Sequence, residues 1–130
     1  MAEILISRIN RYGWLILTLT YMSGILWFST MPGSDKHSGH YSVSMEYFKN
    51  FLHFPAYGGL AFLLMKSLNS IRTQALVTSF VIASSWGIFN EFVQAHTPRR
   101  FFSIDDMIVN ACGALLAIFL ARKGIISIVK

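Results

Sequence analysis

Long uncharged apolar runs alternate along the chain with short clusters of polar and charged residues, and the runs predict the architecture. Residues 12–31 carry no charge. At about 1.5 Å per residue such a run is long enough for a hydrocarbon core of about 30 Å. The second run, 48–68, is less uniform, with Lys49, Asn50, His53 and Pro55 near its start and Lys66 near its end. The lysines can snorkel to the two interfaces. Pro55 leaves two options, because proline suits the first helical turn or a kink. A continuous helix places Lys49, His53 and Tyr57 on one face; a helix starting at Pro55 leaves His53 in the entry loop. The third run, 75–93, spaces Ser84, Gly87, Glu91 and, just past its end, Gln94 along one face that grows more polar toward the end. Ser103 opens the fourth run, 104–121, in which Asp106, Asn110, Gly113, Ala117 and Ala121 share a face. Its small residues allow a neighbouring helix to come close. The pattern predicts an all-α integral membrane protein, a single domain over 1–130 with four transmembrane helices and short loops.

Composition supports the membrane assignment. The chain is 54% hydrophobic and 13% charged, with mean hydropathy +0.51, against about 25% charged in soluble domains. A net charge of +5 would suit nucleic acid, but the basic residues sit singly or in pairs at the edges of apolar runs. That placement fits membrane flanks, so membrane lipid is the expected partner and nucleic acid is not. The first apolar run exceeds the roughly 7–15 residues of a signal-peptide core and no small-x-small cleavage site follows, so it is expected to remain as a span. Cys112, the single cysteine, cannot form an intrachain disulfide and is expected to be an inert packing residue. His37 and His40 lie in a polar Gly/Ser loop after Pro32-Gly33. Without further ligands nearby they read as solvated, and neither a metal nor a cofactor is expected.

Basic residues also set the expected orientation. Arg8, Arg11, Lys66, Arg72, Arg122, Lys123 and Lys130 flank one side of a four-span arrangement, and Lys36, Lys49, Arg99 and Arg100 the other. The positive-inside rule then puts both termini in the cytoplasm and the first and third loops outside. The outward side includes the stretch 90–113, which holds Glu91, Arg99, Arg100, Asp105 and Asp106. Ionisable groups within or beside a span are costly and by default mark a functional site.

The residues of this stretch resemble the VanZ-like family of small bacterial integral membrane proteins. The resemblance rests on Glu91-Phe-Val-Gln94, then Pro98-Arg99-Arg100, Ser103, Asp106, Asn110 and Gly113. Ser29, Pro32 and His53-Phe54-x-x-Tyr57 resemble the family's weaker upstream features. Two positions depart from it: Asn90 stands where many members have an acidic residue, and Lys49-Asn50 replaces an acidic-Lys pair. The resemblance implies a protein of the bacterial inner (plasma) membrane acting near the outer face of the envelope, in a family whose namesake is associated with teicoplanin resistance.

Two readings of the stretch stand side by side. In one, Glu91, Gln94, Arg100, Asp106 and Asn110, with His53 and Tyr57, form an outward-opening polar pocket. There Arg100 would hold an anionic group through its planar fork, and Glu91 or His53 would be the candidate acid or base. In the other, the same groups are a clasp: Ser103 and Asp106 cap the fourth helix while Gln94 and Asn110 bridge helices. Three functions follow as expectations. The first is an envelope protein binding a membrane lipid, a lipid-linked wall precursor or a glycopeptide-related molecule. The second is an enzyme acting on lipid-linked precursors, and the third is a subunit that docks another membrane protein. Ser103 lacks a Gly-x-Ser-x-Gly setting, so it is not read as a nucleophile.

Overall fold

The computed structural model describes residues 2–31 and 43–129, and these form four helices and no strand. They are α1 (Ala2–Ser29), α2 (Val43–Leu68), α3 (Thr73–Ala95) and α4 (Ile104–Arg122). The first two extend further toward the N-terminus than their apolar runs indicate. The head before residue 12 is helical, and α2 starts five residues ahead of its expected start at 48. Helices do not stop where hydrophobicity stops: nothing in the sequence of either extension breaks a helix. The loop bearing His37 and His40 lies outside the described residues.

α2 runs unbroken through Pro55, which settles the register of that helix. His53 belongs to the helix and lies one turn before Tyr57. Proline has no N–H to donate, so the Phe51 carbonyl is left without its usual intrahelical donor.

Short loops make neighbours antiparallel. The pairing Ser29 to Asn90 ties the end of α1 to the end of α3, and His53 to Asn110 ties the start of α2 to the first half of α4. α2 touches all three other helices, most extensively α4, whereas α1 and α4 do not touch. The bundle is therefore a diamond with α2 and α3 across its short diagonal.

Glycine sets the spacing of α2 and α4. A Cβ on Gly113 would collide with the Phe54 carbonyl, and one on Gly58 would stand 3.2 Å from the Gly113 carbonyl oxygen. The two backbones are in direct contact, as small residues permit. The face predicted for α4 is the one that packs: Asp106, Asn110, Gly113, Ala117 and Ala121 are all buried, together with Ala114.

The lower part of the bundle is an apolar core of Leu60, Ala61, Leu64, Met65, Leu76 and Ala117, with Ile128 folded back from beyond α4. Outside the bundle the usual order is inverted. Large apolar side chains such as Ile16, Trp27, Phe51, Val81, Phe92, Ile108 and Phe119 are exposed, while Asn90, Glu91, Gln94 and Asn110 are buried. Scattered exposed hydrophobics are ordinary, but so many large ones outside an interior that is polar at one end fit a non-aqueous surrounding. α3 and α4 are each long and apolar enough to cross a membrane. Of the four expected spans, these two meet that criterion among the described residues. Cys112 does not pack within the bundle as expected but faces outward from α4, because it lies two positions after the buried Asn110 on a helix of 3.6 residues per turn.

The glycines order a mutational series. Gly113→Ala should destabilise the detergent-solubilised protein by about 3 kcal/mol, toward the upper end for overpacking. Gly58→Ala should cost less. Gly24→Ala, whose Cβ meets nothing within 4 Å, should be neutral or stabilising by up to about 1 kcal/mol. Thermal unfolding of the three variants checks the order.

Candidate functional site

The polar residues singled out in the sequence gather at the end of the bundle where α1 and α3 finish and α2 and α4 begin. Three local structures put them there. First, α4 begins on a cap. Ser103 is extended at φ −127° and ψ 115°, and its side chain accepts the Asp106 N–H at 3.1 Å. In a complete capping box the carboxylate at the third helical position would accept the N–H of the capping residue itself. Here that N–H goes elsewhere: Ser103 N donates to Glu91 Oε2, also at 3.1 Å. Glu91 on α3 thus takes the second half of the cap of α4. A carboxylate suits that position because the exposed N–H groups at a helix start carry partial positive charge.

Second, the α3–α4 linker folds back on α1. The Thr97 carbonyl accepts the Arg100 N–H at 3.1 Å around Pro98 and Arg99, with Arg99 at φ 62°. Proline followed by a positive φ is the order of a type II turn, whose third position favours glycine or asparagine. An arginine there adopts a backbone conformation that side chains rarely accept. The turn carries Arg100 over the end of α1, where its Nε donates to the Met31 carbonyl at 3.3 Å.

Third, Asn90 ties α3 to α1. Its Oδ1 accepts from Ser29 Oγ at 2.8 Å, and its Nδ2 donates to the Trp86 carbonyl at 2.8 Å. Each oxygen and nitrogen of this amide has a partner inside the protein. That is how the position works without the acidic residue common in the family: an amide can donate along its own helix, which a carboxylate cannot.

Below this rim lie His53, Tyr57 and Asn110. Asn110 Oδ1 and His53 Nδ1 are 3.1 Å apart, a bridge from α4 to α2. The His53 and Tyr57 rings are parallel, with centroids 6.4 Å apart. Gly87 on α3 closes the group, since a Cβ there would lie 3.1 Å from Asn110 Nδ2 and 3.2 Å from Tyr57 Cε1. Tyr57 is within electrostatic reach of Glu91, as Glu91 is of Asp106 and Arg100.

Three polar atoms in this group complete no hydrogen bond: Glu91 Oε1, Asn110 Nδ2 and Tyr57 OH, which has the Asn90 side chain beside it. Their residues are 0%, 1% and 1% exposed, and they come from α3, α2 and α4. Leaving a buried polar group unpaired costs about 1–3 kcal/mol, so three in one place mark a site built for something other than stability. Two of the three atoms can donate, the tyrosine hydroxyl and the amide, and the carboxylate oxygen accepts.

The structure therefore brings Glu91, Arg100, Asp106 and Asn110 together with His53 and Tyr57. Gln94 is buried one turn beyond Asn90. Asn90, read from the sequence only as a departure from the family pattern, is one of the best-connected residues of the region. The signal that would have found it is its place three residues after Gly87 and one before Glu91, on the inner side of α3. Among the described residues no group of three His, Cys, Asp or Glu side chains is placed to hold a metal.

An apolar exterior, two helices able to span and a closed polar interior at one end define a small helical membrane protein. The chain belongs to the VanZ/LLP1 family, whose pattern matches residues 8–128. No curated protein and no solved structure matches the chain.

Glu91 has separable roles that substitution can distinguish. Glu91→Ala removes the Glu91 half of the cap of α4 and should destabilise the protein by about 1–3 kcal/mol. Glu91→Gln keeps an oxygen for the Ser103 N–H and should retain most of the stability. Melting temperatures of the two variants in one detergent check this; equal losses would show that the cap contributes nothing.

Proposed function

We propose that the protein is a four-span VanZ-like component of the bacterial plasma membrane that binds a lipid or glycopeptide-related molecule in the polar interior of its outward end. The carrying observation is the convergence of three unpartnered buried atoms, Glu91 Oε1, Tyr57 OH and Asn110 Nδ2, from three different helices. A clasp alone would consume its hydrogen-bonding groups, as Asn90 and Ser29 do; this group leaves one on each helix unused.

In this reading all four helices span. α1 is 28 residues long and α2 is 26, about 40 Å each at 1.5 Å per residue. The distribution of Lys and Arg supports cytoplasmic termini. The site end then faces outward, where Arg100 at the rim suits an anionic group of the bound molecule. The association of the family's namesake with teicoplanin resistance supports a glycopeptide-resistance-type role as the context of such binding.

An enzyme acting on lipid-linked envelope precursors is the second reading, favoured by one observation: Glu91 keeps a carboxylate oxygen without a partner and lies within electrostatic reach of Tyr57. In that case Glu91 is the acid or base, His53 the other candidate, and Arg100 the holder of the anionic group.

Native mass spectrometry of the purified protein tests the binding reading. Wild type should retain an anionic lipid or precursor that Arg100→Ala and Glu91→Gln lose at unchanged melting temperature. Loss of stability with no change in retained lipid would reduce the region to a clasp. A topology reporter fused after Lys130 should report a cytoplasmic C-terminus, and an outward C-terminus would overturn the outward site.

A further inference from the structure

The charges around the unpartnered atoms narrow what the site can hold. Glu91 and Asp106 stand beside them, and the start of α4 is already occupied by the Glu91 carboxylate. An anionic group pushed to the depth of Tyr57 would meet two carboxylates, and Arg100 is the described cation within electrostatic reach of Glu91. Arg100 is a cation of the rim, half-buried, with its Nε on the Met31 carbonyl. Its fork still has N–H groups to offer, since the guanidinium carries five donors. An anion therefore belongs at Arg100, and what enters further must be uncharged.

The deep atoms specify that uncharged part. Asn110 Nδ2 can only donate, Glu91 Oε1 accepts, and the Tyr57 hydroxyl does either. An ammonium group could satisfy Glu91 but not Asn110, and an alkyl group satisfies neither. A hydroxyl does both, because it accepts from the amide while donating to the carboxylate. Two neighbouring hydroxyls would serve all three atoms. The exterior of the same end offers apolar surface to acyl or prenyl chains, with Trp27, Phe28, Phe89, Phe92, Phe101 and Phe102 44–77% exposed around it.

We propose that the site takes a lipid headgroup in which a phosphate is followed by a hydroxyl-bearing group, glycerol or sugar. The phosphate rests at Arg100, and the hydroxyls reach Glu91 Oε1, Tyr57 OH and Asn110 Nδ2. This rests on the binding reading above and names its ligand class. A glycerophospholipid and a polyprenyl-linked sugar phosphate share this chemistry.

The test titrates the detergent-solubilised full chain with phosphatidylglycerol, with phosphatidic acid of the same acyl chains, and with a polyprenyl-phosphate sugar, reading binding by native mass spectrometry. Wild type should prefer a hydroxyl-bearing headgroup over phosphatidic acid by about tenfold, the worth of roughly one well-made hydrogen bond. Whichever of phosphatidylglycerol and the sugar phosphate binds more tightly identifies the source. Tyr57→Phe removes a hydroxyl that completes no hydrogen bond in the protein, although the Asn90 side chain lies beside it, so it should fold about as stably as wild type. It should weaken the preference while keeping its affinity for phosphatidic acid, whereas Arg100→Ala should weaken all three lipids together. Equal binding of phosphatidylglycerol, the sugar phosphate and phosphatidic acid, all lost in Arg100→Ala, would overturn the headgroup class and leave an anionic-lipid site. Binding of no lipid by the wild type would overturn both. A preference unchanged in Tyr57→Phe would remove the hydroxyl site from this position.

Discussion

The hydrogen bond from Ser103 N to Glu91 Oε2 is the contact on which the upper half of the molecule depends. It is made by a carboxylate that is wholly buried, and it joins the last turns of α3 to the first residue before α4. Because it caps α4, it fixes where that helix starts, and so the rotation that turns Asp106, Asn110 and Gly113 inward. Gly113 in turn lets α4 lie against the backbone of α2, which brings His53 and Tyr57 up to Asn110. The same carboxylate has a second oxygen that no group in the protein uses. Structure and candidate chemistry therefore share one side chain, with one oxygen for each.

The remaining contacts of this end act as a frame around that side chain. Asn90 holds the end of α1 through Ser29, and Arg100 reaches the Met31 carbonyl two residues beyond the end of α1. A lower layer does similar work with smaller groups: Thr18 and Ser67 pair at 2.8 Å across α1 and α2. Such interhelical hydrogen bonds contribute about 1 kcal/mol each in a membrane bundle. In the lower layer and at Asn90 the pairing is closed within the protein. At Glu91, Tyr57 and Asn110 one atom each is left open; Ser79 Oγ, Ser84 Oγ and Trp86 Nε1 are open too, but all on α3, whereas the first three meet from three helices, and that convergence distinguishes a site from a clasp.

Much of this was readable in the chain. The inner face of α4 followed from helical spacing alone, since Asp106, Asn110, Gly113, Ala117 and Ala121 recur every three or four residues and all are buried. The inner face of α3 was read through Gly87, Glu91 and Gln94 but missed Ser79, Ala83 and Asn90, because small and amide residues leave little trace in a hydrophobic pattern. Ser103 and Asp106 announced a helix start, yet the partner of the Ser103 N–H could not be read, since Glu91 lies on another helix and the contact is set by the linker turn. That turn depends on Arg99 taking a positive φ, which sequence assigns to glycine or asparagine. Pro55 left the start of α2 undecided, because local propensity and tertiary packing pull in opposite directions there, and packing won.

The central claim is that Glu91 carries a function separable from its cap. The most direct test is the rise in melting temperature that added phosphatidylglycerol produces in the detergent-solubilised wild type and in Glu91→Gln. Binding to the folded state alone must raise it. The account predicts a clear rise in the wild type and little or none in Glu91→Gln, with the two proteins melting together when no lipid is added. The same rise in both, or none in the wild type, would contradict it.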